Sequence, residues 1–456
     1  MTNRRDFIRK GALGTGLITI GGIGFSAKSY ASIIGANERI NLAVIGIHNQ
    51  GTAHINSYCS MKKDKNVWLT TLCDTDEQFF ADRAKTVQEK TGIKPVTTWD
   101  MREVFDNKDI HAVSMAIPDH WHALATIWAC QAGKHAYIEK PSSHNVHEGR
   151  KMIEAGRKYN LRVQTGFNSR SLAPVIDAIN FIHGGGIGEV YMARGLCLKP
   201  RESFGIAKDS TPPATLHYER WLGPALWREY NEKRSHYNWH WFWDTGNGDS
   251  ANQGPHQFDI ARWGLNKHEH PVSIFSSGGI YGMDPEKCAQ ETPNTQLSVF
   301  KYKDGKMLEF ETRGEPSNAE SSLETRIGNI FYGTEGYVEL NNDIWRAFRK
   351  GESIPFAGSK ASQGQRVDVT STVGGASSNH WANFIDAIRS GNNETLNCDI
   401  IEGHLSSSLP LLANISYRLG RELKFMGDYE KFANDPEADT MLTRNYRQPY
   451  VVPDQV

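Results

Sequence analysis

The chain has 456 residues, 39% of them apolar and 23% charged, a balance that builds a core and excludes a disordered polymer. Lys and Arg number 51 against 52 Asp and Glu, a formal net charge of -1, which excludes the basic footprint of a nucleic-acid binder. The 6 Cys are scattered without C-x-x-C spacing, so neither a zinc ribbon nor a thioredoxin-type site is expected.

The first segment reads as an export signal. Arg4-Arg5 sit in a basic stretch ending at Lys10, a Gly-rich and weakly apolar run follows to Phe25, and Ser29-Tyr30-Ala31 offers small residues for cleavage. That pattern predicts a twin-arginine signal over residues 1–31 and a periplasmic protein delivered already folded. The run is too short to span a membrane, and no later segment approaches ~20 apolar residues, so no stable membrane anchor is expected.

Next comes an alternation of strands and helices. Ile40–Ile45 is a branched apolar run, as in a buried parallel strand. It enters Gly46-Ile47-His48-Asn49-Gln50-Gly51 and then a helical stretch. The dinucleotide fingerprint is G-x-G-x-x-G. Both outer glycines are present, but His48 replaces the middle one, whose bare backbone normally approaches a pyrophosphate. A second strand, Val67–Cys73, ends at Asp74. An acid there can hold both ribose hydroxyls and disfavours a 2′-phosphate, which points to NAD over NADP. A helix over Asp76–Thr91, a strand Ala112–Ile117 closed by Pro118 and a helix Ala123–Ala132 follow. Strand His135–Ile138 leads into Glu139-Lys140-Pro141, then come a helix to Lys158 and a strand Arg162–Thr165. This order predicts an α/β fold, a doubly wound parallel Rossmann sheet over residues 38–168.

Residues 169–456 are expected to form a second α/β domain with a large open, mostly antiparallel sheet. Strands are predicted at Val272–Ser276, Thr295–Tyr302, Lys306–Thr312, Asn329–Gly333 and Gly336–Leu340, starting from the run at Gly188. Lys350–Thr372 reads as a loop, Asn379–Ser390 and Gly403–Leu419 as helices. The tail Asp428–Val456 is expected to wrap the surface or reach a neighbouring subunit. Six Trp fall between Trp221 and Trp263, beside Asn238, His240, Asp244 and Asn247. Rings that stack on sugar C–H faces, set among polar groups, suit a carbohydrate pocket.

The Gly46 turn, Asp74, Ile117-Pro118-Asp119-His120-Trp121-His122, Glu139-Lys140-Pro141 and Gln164-Thr165-Gly166, in that order, resemble the Gfo/Idh/MocA oxidoreductases. Gly254, His256 and Asp259 match a D-x-G-x-H-x-x-D pattern of that family, and Asn252 stands where its first Asp is usual. The resemblance implies that Lys140 polarises the reacting oxygen and that His256 is the acid/base. It also implies that Pro118 and His122 border the cofactor, with Gly46, His48, Asn49, Gln50, Gly51, Asp74, Glu139 and Lys140. Asn252 cannot take a proton and is assigned a hydrogen bond to substrate. Asp259, Arg170, Tyr191, Trp241 and His240 complete the candidate substrate set, Asp259 as a support or as the group that orients His256. No metal is expected, since His120 and His122 lie two apart and no H-E-x-x-H occurs.

These readings together describe an NAD(P)-dependent oxidoreductase acting on a carbinol of a sugar. Free NAD is not expected in the periplasm, so the cofactor would be tightly bound and cycled in place. A glycosidase or lyase that oxidises, eliminates and re-reduces is the rival; a non-catalytic carbohydrate-binding protein is a further alternative. A homo-oligomer, dimer or tetramer, is expected through the open sheet.

Overall fold

The computed structural model describes residues 38–359 and 376–456. The expected signal lies outside the described residues, as does the expected loop from residue 360 onward. The first sheet grows from branched apolar runs: β1 (Ile40–Ile45), β2 (Val67–Cys73), β3 (Val96–Thr98), β4 (Ala112–Met115), β5 (His135–Ile138) and β6 (Val163–Thr165). All pair in parallel, in the order β3-β2-β1-β4-β5-β6. β1, β4 and β5 are buried at every position, as a sheet covered on both faces demands. The strand order reverses between β1 and β4, so a crevice opens beyond their carboxyl ends.

Two glycines shape that crevice. Gly46 has φ 79°, and a Cβ there would stand 2.2 Å from the Ala116 carbonyl oxygen. A Cβ on Gly51 would stand 1.9 Å from the Gly46 oxygen. No other residue type allows the turn after β1 and the helix Gln50–Lys65 to pack this closely.

The second sheet holds β7 (Val190–Cys197), β8 (Ser273–Gly279), β9 (Thr295–Lys301), β10 (Met307–Arg313), β11 (Ile327–Gly333), β12 (Gly336–Leu340), β13 (Trp345–Arg349), β14 (Ala357–Gly358), β15 (Leu423–Met426) and β16 (Lys431–Phe432). Their order is β14-β13-β12-β11-β7-β10-β9-β8-β15-β16. Every pairing is antiparallel except β7 with β10. Helices Ala173–His183, Gly254–Gly264 and Ile400–Leu419 cover one face, where Ile179, Phe258 and Leu412 bury against Phe300, Phe310 and Phe331. Phe258 stacks on Phe310 at 4.2 Å.

The end of the chain returns to the first sheet. Trp381, Phe384 and Ile388, on the helix Ala376–Ser390, join the core of Ile40, Leu42 and Tyr137. Tyr450 and Val452 enter the core formed by Val113, Leu124 and Ile138. The tail therefore anchors on its own nucleotide-binding half. All six Cys are buried and unpaired. No helix among the described residues is long and apolar enough to cross a membrane.

Candidate active site

A cavity of about 520 Å³ opens at the strand-order reversal. Its wall takes Gly46, His48, Asn49 and Gln50 from the turn after β1, Asp74 from the end of β2, and Ile117 and Pro118 from the end of β4. Glu139 and Lys140 enter from the end of β5, and His240, Asn252, Gln253 and His256 from the second half of the chain.

The nucleotide side fits a dinucleotide. The helix Gln50–Lys65 has no side-chain cap and no acid in its first turn, so its first N–H groups and dipole are open to an anion. His48 does not fill the turn: its ring stacks on Phe79 at 4.4 Å. Asp74 accepts the Ile47 N–H at 2.8 Å and the Asp76 N–H at 3.0 Å, which fixes its carboxylate at the edge of the cavity. Burial pushes its pKa upward against those bonds.

Glu139 and Lys140 are set by a buried relay. His54 Nε2 lies 3.0 Å from Glu139 Oε1, and His54 Nδ1 lies 2.9 Å from the Ser114 hydroxyl. Gln50 donates to the same carboxylate oxygen at 3.1 Å. Burial alone would raise Glu139, but the bond and charge of His54, with Lys140 and Gln50, hold it at about 2. An ionised Glu139 only accepts, so His54 donates to it from Nε2. The Lys140 ammonium donates to the Asn252 carbonyl at 2.8 Å, which aims it across the cavity from the first half of the chain to the second.

His256 stands on the first turns of the helix Gly254–Gly264. Its Nδ1 is buried without a hydrogen-bond partner, so Nε2 is the nitrogen left to the cavity. No carboxylate among the described residues bonds it, so His256 has no Asp partner in a relay. Burial, and after it the Lys140 charge, lower it to about 4. His240 stacks on Trp239 at 3.6 Å and lies 2.6 Å from the Tyr237 carbonyl through Nδ1. Burial chiefly lowers it to about 3.

A strap from the second half closes the nucleotide end. His217 N–H bonds the Thr75 carbonyl at 2.8 Å, and Glu77 N–H bonds the Thr215 carbonyl at 3.0 Å. His217 also lies 2.6 Å from Glu77 Oε1 and stacks on Trp99 at 4.1 Å. His236 lies 3.0 Å from the buried Asp76.

Several expected site residues lie elsewhere. Asp259 and Arg170 are an ion pair at 2.8 Å, both buried, joined by Ser406, Glu402 and Arg262. This network braces the helices Gly254–Gly264 and Ile400–Leu419 against the short turn Asn168–Ser171 and does not reach the cavity; nor does Asp259 orient His256. Arg170→Ala would leave the buried Asp259 carboxylate with Arg262, 3.8 Å away, as its remaining cation. The expected result is a loss of about 3–5 kcal/mol, read as a lower denaturant midpoint. Tyr191 is 50% exposed at the start of β7, away from the cavity. Trp241 packs under Arg201, its centroid 5.2 Å from the guanidinium, and does not line the wall. His122 also stands behind the wall, bridging the Ile117 carbonyl (2.8 Å) and the Pro141 carbonyl (2.6 Å), so it clamps two strand ends rather than bordering the cavity. Gly51 acts through its close packing on Gly46.

Other lining residues escaped the sequence reading. Gln253 neighbours Asn252 in the same motif and was within reach of it. Trp99, Asn168, Lys199, His236, Asn342 and Trp381 come from scattered segments without any local pattern. Among the described residues, the only group with metal-ligating spacing is His270, His404 and Glu430. It lies outside the cavity wall, and Arg150 already occupies the Glu430 carboxylate.

The chain matches the description "Oxidoreductase family, NAD-binding Rossmann fold" over residues 40–167. It matches the family's C-terminal alpha/beta domain over residues 205–345 and 369–452. It is 23% identical to a levoglucosan dehydrogenase of Pseudarthrobacter phenanthrenivorans, over 80% of this chain and 88% of that one. It is 25% identical to an alpha-N-acetylgalactosaminidase of Shewanella oneidensis, over 53% of this chain and 51% of that one. The solved aldose-aldose oxidoreductase of Caulobacter crescentus, complexed with glycerol, shares the fold with a TM-score of 0.62 at 18% identity, over 85% of this chain and 100% of that one. Two domains matched in order, around a Gly46 turn and a lysine that bridges them, place this chain in the Gfo/Idh/MocA family of NAD-binding oxidoreductases.

Proposed function

We propose that the protein oxidises or reduces a carbinol of a sugar or sugar derivative, with NAD retained through the cycle, after export to the periplasm. The observation that carries this reading is the meeting of Lys140 and His256 in one cavity with the Gly46 turn and Asp74. NAD, when bound, supplies the acceptor and donor of a hydride. The residues of this chain do the rest. Lys140 donates to the Asn252 carbonyl at 2.8 Å and more weakly to its Oδ1 at 3.5 Å, and the ammonium still has a proton for the oxygen where negative charge would develop. His256 Nε2 takes the hydroxyl proton on oxidation and returns it on reduction. The stacked Trp239 and His240 offer an apolar face with polar edges, as a sugar ring requires.

Asp74 supports NAD over NADP, since a 2′-phosphate would meet a carboxylate with another, Asp76, directly behind it. The strap of Leu216, His217 and His236 over the end of β2 supports slow cofactor release. The twin arginine supports export of the folded, loaded protein. Phe275 and Leu297, exposed on adjacent strands β8 and β9 on the face without helices, support a homo-oligomer through the second sheet.

The test is to denature the purified protein and identify released nucleotide by mass spectrometry, then to follow bound-nicotinamide absorbance when sugars are added. Near-stoichiometric NAD(H) that responds to sugar is expected. A protein that is empty and fails to bind added nucleotide would overturn the reading. The similarity to an alpha-N-acetylgalactosaminidase favours a second reading, glycoside cleavage through transient oxidation. Release of nitrophenol from a nitrophenyl glycoside without added NAD would select it.

A further inference from the structure

The charged side chains lining the cavity are Asp74, Asp119, Glu139, Lys140 and Lys199. Four of them are answered by the protein. Asp74 accepts two backbone N–H groups, Glu139 accepts from His54 and Gln50, and Lys140 donates to Asn252. Burial drives Asp119 well above the usual carboxylate range, toward its neutral form. Lys199 alone has no hydrogen-bond or ion-pair partner among the described residues. It stands two residues past the end of β7, partly buried. Asp249, whose charge acts on Cys197 together with those of Arg201 and Lys199, is committed to Arg201, which takes both its oxygens at 2.7 and 2.8 Å.

Asp249 lies 3.4 Å from Asn252 Nδ2, and the Asn252 carbonyl holds Lys140. Lys199 stands two positions before Arg201 and enters the wall from the second half of the chain, as His240, Asn252 and His256 do; its charge, with those of Arg201 and Asp249, acts on Cys197. Lys140 and Arg201 add to the burial that keeps His240 neutral, and Lys140 does the same at His256, against the opposing charges of Glu139 and Asp259. A partly buried ammonium without a counter-charge is costly unless a ligand brings one.

We infer that Lys199 binds an anionic substituent of the substrate, so that the sugar taken by this cavity is an acid, with a uronic or aldonic carboxylate as the fitting group. This rests on the sugar reading above. The ammonium is a point charge with three donors, suited to a carboxylate or a phosphate oxygen. It takes no part in bond making.

The test is calorimetric titration of the nucleotide-loaded protein with matched pairs, glucuronate against glucose and galacturonate against galactose, and with glucose 6-phosphate as a third arm. One or both uronates should bind about tenfold or more tighter than the neutral partner at low salt, the worth of one charge-assisted hydrogen bond. Lys199→Met should cut the acid-to-neutral affinity ratio about tenfold, and Lys199→Glu should invert it. A preference for the phosphate over both uronates would keep the anion site and replace the carboxylate. Equal binding of acid and neutral sugars would overturn the inference and leave the sugar reading intact. Binding of no sugar at all would overturn both. Loss of nucleotide from Lys199→Met without any change in the sugar ratio would reassign Lys199 to a cofactor phosphate and overturn the inference.

Discussion

Lys140→Ala should lower the rate of bound-nicotinamide reduction by about 10²–10³-fold, the usual loss when one charged donor to a developing oxyanion is removed. The substitution leaves Glu139 in its relay with His54 and Gln50, so nucleotide content should stay near that of the parent protein. Stopped-flow absorbance after sugar is added, with nucleotide content measured on the same preparation, separates the two quantities. Lys140→Arg should not restore the rate. A planar fork cannot reproduce a compact ammonium that donates to Asn252 and to substrate at once. An Ala variant as fast as its parent would remove Lys140 from the chemistry.

His256→Asn should cost about 10²–10⁴-fold, the range for loss of a general base. Its pH signature is more telling than its size. Burial first, and the Lys140 charge second, depress the imidazole to about 4. A depressed histidine is neutral, and able to accept a proton, at every pH above its own value. The acid limb of kcat/KM for oxidation should therefore fall near pH 4, well below the 6.5 of a free imidazole. The pH–rate profile of the parent should show that limb and the His256→Asn profile should lack it. A parent limb near 6.5 would mean that another group titrates.

Much of the first sheet was legible because each of its central strands is a short branched run closed by a residue with a job: Gly46, Asp74, Pro118 and Glu139. β3 was not, because Val96–Thr98 is three residues long and two of them are exposed. In the second sheet, β9 and β10 carry an alternation of buried positions with more open ones, and their boundaries lie within a residue or two of the expected ones. β15 and β16 are too short to show one. At the site, motif residues close in sequence were found and residues brought in by topology were not. Trp381 reaches the cavity on a helix that packs across the first sheet, and nothing in Ala376–Ser390 announces that destination. The error ran the other way for Arg170. Its residue type suits a substrate pocket, and only the fold shows that it is spent on Asp259, which holds the supporting place that was one of its two expected roles.

The return of the last residues to the first sheet bears on the order in which the protein is made. A ribosome delivers Ile40 and Leu42 long before Trp381, Phe384 and Ile388, and Tyr450 and Val452 last of all. The nucleotide-binding half therefore cannot finish its core while synthesis is under way, unlike a modular chain whose leading domain matures first. The two halves reach completion together, once Tyr450 and Val452 have joined the core. A cofactor pocket whose wall includes Trp381 is finished only after that residue has emerged, so nucleotide capture becomes a report that the second half has been made and has docked.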